Sequence, residues 1–220
     1  MKSFESINKD AVRKHGERVL NSRLPNAKSA RALYAVTDGR YLSEMAKCIF
    51  QAGFVWKVVD KLWLGFEEVF LRFSPKDLVD PKPRQIDSIK QDRRIIRNAQ
   101  KIKAVLDSAR FVSRVSSEHG GFGKFIARWP GDDLAGLWNK LSREGSSLGG
   151  ITGPRFLRNV GKDTYIFSPD GVKELIATGV ISKAPASKTA LTACHQAFSR
   201  WHDESGRRYC DISMVVACSV

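Results

Sequence analysis

The chain has no apolar run approaching the roughly 20 residues that a bilayer-spanning helix needs, and no helical segment that sets a basic face against exposed aromatics. That argues against a membrane partner. Cysteine is scarce: Cys48, Cys194, Cys210 and Cys218 form no Cys-x-x-Cys pair and are too few to staple 220 residues, so reduced thiols are expected. Cys194 and His195 are adjacent and point to different sides of a helix, a poor basis for a zinc site with His202 and Cys210, so no metal and no cofactor is expected. Negative charge is also in deficit. Thirty-seven Lys and Arg stand against 23 Asp and Glu, a formal charge of +14, which favours a polyanionic partner such as nucleic acid. The opening MKSFESINKDAVRKHGERVL alternates charged and apolar residues without the apolar core of a secretory signal. A cytoplasmic protein is expected, nucleoid-associated if bacterial. Repeats and low-complexity tracts are absent.

What is present is helical periodicity almost throughout, supported by 42% hydrophobic content, enough for a substantial core. The expected fold class is all-α. Leu42, Met45, Ala46, Ile49 and Phe50 mark one apolar face, and Val55, Val58, Val59, Leu62 and Trp63 the next after Gly53. The longest helix is expected from about Arg93 to Glu118. A single N-terminal helix is expected from about Phe4 to Asn21, an irregular connector around Pro81 and Pro83, and a cap at Asp132. This organisation divides the chain into N-terminal helices over 1–42 that pack with C-terminal helices over 181–220, and a helical core over 43–180.

Within the core, LGGITGPRFLRNVGKDTYIFSPD (Leu148 to Asp170) places a glycine-rich turn at the start of a short basic helix and a carboxylate at the start of the next. Gly149, Gly150 and Gly153 lack a Cβ, so successive N–H groups can face an anion where the helix dipole favours one. Arg155, Arg158 and Lys162 on the following helix, with Arg143 on the preceding one, add positive charge. The unit, at about 132–161, has the form of a helix-hairpin-helix that grips DNA phosphate. The plainer alternative is a glycine-capped helix turn.

QAGFVW (Gln51 to Trp56), followed by RIIRNAQKIKAVLDSAR (Arg94 to Arg110), resembles the paired motifs of the DNA-3-methyladenine glycosylase I family, QAGLSW and GIIRxxxKIxAxxxNAR. Order and separation agree, and the resemblance spans roughly Ser43 to Gly161. It implies a two-lobed helical enzyme that binds double-stranded DNA, most simply as a monomer, flips a damaged purine and hydrolyses its N-glycosidic bond in base excision repair. Trp56 matches the family's pocket tryptophan, and Phe54 stands where an apolar side chain can wedge into the opened stack. Core packing is the alternative for both. Cys48 occupies the position of the family's base-reading glutamate, a departure that puts the substrate in question. The family's structural zinc pattern is missing as well. In the wider helix-hairpin-helix glycosylase superfamily an aspartate opens the helix after the hairpin. Asp170 lies near that place and would be the catalytic carboxylate that steadies an oxocarbenium-like sugar. Its other role would be to complement the helix N-terminus. Nothing marks Lys57 for Schiff-base chemistry, so a monofunctional hydrolase is expected. The alternative is a non-catalytic helix-hairpin-helix DNA-binding protein.

Overall fold

Glycine, proline and short polar caps cut the chain into fifteen α-helices and one 3-10 turn, with no strand, in a computed structural model that describes residues 1–220. The longest helix, Ala99–His119, starts later than its periodicity suggests. Asn98 caps it by accepting from the Lys101 amide, and Asp92 holds the Arg94 amide and guanidinium in a separate turn. Gly16, at φ +76°, splits the expected N-terminal helix into Phe4–His15 and Glu17–Arg23. Pro83 opens a helix, Pro83–Gln91, instead of extending a connector, because proline suits a first helical turn. Asp133, not Asp132, caps Leu134–Glu144.

Two apolar cores result. The first forms where Ala99–His119 packs on Asp38–Gln51, and it encloses Tyr41, Phe50, Phe66, Phe70, Phe73 and Phe122 without exposure. The second joins the chain's two ends: Phe4, Ile7 and Ala11 pack with Phe198, Trp201 and the C-terminal helix Tyr209–Cys218. Tyr165 and Phe198 stack there at 4.2 Å, and the Trp201 indole donates to the Lys2 carbonyl at 3.1 Å. Each large apolar side chain so buried stabilises the fold by about 1.5–3 kcal/mol before entropy is counted.

The helix Leu134–Glu144 binds the cores together. Leu137 and Leu141 enter the first, Leu134 enters the second, and Trp138 packs against both. It leads through Gly145–Ile151 into Thr152–Val160, so the hairpin is placed at the seam between the two cores. Gly150 supplies the left-handed bend at φ +58°. Gly153 permits a close approach, since a Cβ there would lie 2.6 Å from the Leu148 carbonyl oxygen.

Candidate nucleic-acid interface

The helix Asp38–Gln51 ends at the QAG turn, and the chain restarts at Trp56. Lys101 on the long helix closes that end by donating to the carbonyls of Ile49 and Ala52, the latter at 2.6 Å, and burial lowers its pKa. Anchored this way, the turn presents three successive apolar side chains to solvent: Phe54, Val55 and Trp56 are 38%, 67% and 47% exposed. Neither Phe54 nor Trp56 belongs to a core. Val55 is the most exposed of the three, while Phe54 has the Lys101 ammonium 5.2 Å from its ring centre.

The hairpin meets this turn through Arg155, whose guanidinium carbon lies 4.6 Å from the centre of the Trp56 indole. Such a contact contributes about 0.5–2 kcal/mol. Arg155 is thus occupied with the aromatic face. One turn earlier, the amides of Gly149, Gly150 and Ile151 donate to no protein acceptor. They form the N-terminal edge of the Thr152–Val160 helix, where an anion is favoured. Gly153 is buried, so its part in the turn is steric.

The other expected phosphate ligands turn away. Arg158 donates to the Thr164 carbonyl at 2.9 Å, and its charge faces Asp163 and Asp211 of the second core; burial lowers its pKa. It braces the hairpin from behind. Lys162 is 8% exposed and donates to the Trp129 carbonyl at 2.8 Å. Asp170 opens the helix Pro169–Ala177, whose cap is Ser168, and pairs with Lys173 at 2.7 Å on an exposed turn. No hydrogen bond or ion pair links Asp170 to Trp56, Phe54 or Cys48.

Cys48 is 3% exposed, and burial together with the nearby Glu44 carboxylate pushes its thiol pKa up, so it is neutral. Glu44, one turn earlier on the same helix face, accepts from Cys48 Sγ at 3.7 Å and from Asn159 Nδ2 of the hairpin helix at 2.7 Å. Glu44 and Asn159 also line an open cleft of about 620 Å³ with Lys47, Trp63 and Glu67. Glu67 is held through Oε1, which accepts from Arg40, from Ser43 at 2.8 Å and from the Trp63 indole at 3.2 Å. The four-residue spacing of Glu44 and Cys48 carries the signal for the first of these residues. Asn159 and Trp63 reach the cleft through tertiary packing alone.

Residues 35–143 match the family model described as methyladenine glycosylase. No curated protein sequence matches the chain. Among solved structures, it is similar to 3-methyladenine DNA glycosylase I from Staphylococcus aureus, at TM-score 0.53 and 20% identity over 65% of this chain and 83% of that one. It is also similar to the 8-oxoguanine DNA glycosylase of Methanocaldococcus jannaschii, at TM-score 0.59 and 14% identity over 97% of this chain and 91% of that one. A complex of the M. jannaschii 8-oxoguanine glycosylase/lyase with DNA containing 8-oxoguanine matches at TM-score 0.56 and 11% identity, over 96% of this chain and 93% of that one. These identities speak to the fold, which in the archaeal structures extends over nearly the whole chain. Residues 35–143 thus resemble the methyladenine glycosylase family, and the helical fold around them is similar to that of solved DNA glycosylases.

Proposed function

We propose that the protein is a monofunctional DNA glycosylase that binds double-stranded DNA as a monomer, extrudes a damaged, alkylated purine and hydrolyses its N-glycosidic bond in base excision repair. The observation that carries this reading is the meeting of the exposed Trp56 with Arg155, on a helix whose first turn has unengaged amides. Amides at a helix N-terminus hold a phosphate, and an aromatic face beside them replaces the stacking that an extruded base loses. Phe54 and Val55, in the same turn, are placed to fill the gap left in the duplex. The base approaches the indole by displacing the Arg155 guanidinium, which is then free to pair with a phosphate.

An alkylated purine is positively charged and leaves readily, so its release demands little general-base strength. Two lysines of this region are committed elsewhere. Lys101 is engaged with two carbonyls, and Lys47 pairs with Asp60 at 2.8 Å. Hydrolysis by water, without a Schiff base, fits these residues.

The decisive experiment treats alkylated genomic DNA with the pure protein and identifies released bases by mass spectrometry. Free alkylated purines are expected. A second reading, a non-catalytic DNA-binding protein, draws support from Asp170 being held by Lys173 and from the neutral, buried Cys48. Under that reading the protein binds DNA with steep salt dependence and liberates nothing.

A further inference from the structure

We infer that Glu44 is the residue that reads the extruded base, with Asn159 as its positioning residue; this rests on the glycosylase reading above. Cys48 cannot serve as an anionic acceptor, because its thiol is neutral and only 3% exposed. Glu44 stands in front of it. The carboxylate's two known donors, Asn159 Nδ2 and Cys48 Sγ, both go to Oε1, and Oε2 accepts from nothing in the protein. Glu44 is half-buried and lines a cleft large enough for a purine, so a ligand there can donate to the second oxygen in place of water. Glu67, the other carboxylate in that cleft, also leaves one oxygen without a donor, but its charge is already paired with Arg40 and its Oε1 holds Ser43 and the Trp63 indole, whereas Glu44 has no ion pair.

The chemistry of the partner follows from the acceptor. An ionised carboxylate offers lone pairs only, so it selects a ring edge bearing N–H groups, above all an exocyclic amine on a positively charged purine. It repels an edge made of carbonyl oxygens. Asn159 adds a coupling between grip and readout, because it lies on the same helix as the phosphate-facing amides. Engagement of the hairpin with DNA therefore fixes the position of the Glu44 carboxylate.

The test uses the full-length protein with Glu44→Gln, nearly isosteric and still able to accept from Asn159, and with Asn159→Ala. Binding of free 3-methyladenine and of uracil is followed by tryptophan fluorescence, beside release of bases from alkylated DNA and affinity for undamaged duplex. Circular dichroism checks the fold. Wild type is expected to bind 3-methyladenine and not uracil. Glu44→Gln should weaken that binding about tenfold to a hundredfold, as loss of a charge-assisted hydrogen bond does, and leave duplex affinity unchanged. Asn159→Ala should cause a smaller loss of the same kind. Equal binding by wild type and Glu44→Gln, or no binding of the purine by wild type, overturns the assignment. Purine binding that depends on Glu44 without any base release sustains the assignment and removes the catalytic reading instead.

Discussion

Trp56, Arg155 and Arg158 show how far a side chain's environment outweighs its type. Both arginines lie on one short helix, three positions apart, yet Arg155 covers an exposed indole while Arg158 is drawn inward to the Thr164 carbonyl. A spacing of three keeps two residues near one another on a helix; which of them meets solvent depends on what packs alongside. Replacing Trp56 with alanine should leave the fold intact, because a half-exposed ring leaves no cavity. The expected loss is about tenfold in affinity for duplex containing an abasic-site mimic, consistent with about 1–3 kcal/mol for base stacking on an aromatic. Intact duplex should be affected about twofold at most. Fluorescence anisotropy with the two duplexes measures this, and equal losses would make Trp56 a packing residue.

At the scale of elements, the hairpin combines strain with open valence. Gly150 takes φ +58° with nothing near its missing Cβ, so an alanine there costs about 1 kcal/mol of backbone energy and creates no clash. At Gly149 the new methyl would meet only the Ser142 hydroxyl, at 3.2 Å. The double change Gly149→Ala with Gly150→Ala should therefore lower the unfolding free energy by about 1–2 kcal/mol and leave the protein folded. DNA affinity at moderate salt should fall about tenfold, since methyl groups would obstruct the amide edge. Unchanged affinity would mean that phosphate is held elsewhere. Gly153→Ala has a different expected outcome. Its Cβ would press on the Leu148 carbonyl at 2.6 Å, so the turn itself shifts, and loss of stability should accompany loss of binding.

The whole molecule is closed by its ends. The C-terminal helix packs against Phe4–His15 and Pro169–Ala177, which makes the last segment part of the second core. That core also confers a pH dependence. Burial pushes the thiols of Cys194 and Cys210 up to about 11 and about 12, Asp163 and Asp211 adding to the second shift, and it raises Cys48 as well. In an unfolded chain these thiols ionise at about 8.5. Stability is complete below that pH and is lost as pH climbs toward the folded values, because only the unfolded chain gains from thiolate formation. Lys101 and Lys162, lowered by burial, act in the opposite direction through smaller shifts. Urea midpoints should thus hold steady from pH 7 to about 8.5 and decline above about 9, tracked by ultraviolet thiolate absorbance. A midpoint that stays level to high pH would show the thiols to be more accessible than the packing indicates.

Periodicity and composition by themselves determined that the chain is helical, that it is basic, where the glycine turn falls, and which motifs resemble a glycosylase family. Those properties are local: helix formation, caps and charge count depend on neighbours within a turn or two. Element boundaries escaped wherever a side chain competed with the apolar pattern, as Asp92 and Asn98 do before the long helix. Only the tertiary structure decided that Arg155 faces Trp56, that Arg158 turns inward to the Thr164 carbonyl, that Lys162 is buried, and that Asn159 reaches Glu44 across 115 residues. The physical reason is that a site joins elements distant in the chain, and their relative rotation is set by how two cores pack at a shared helix.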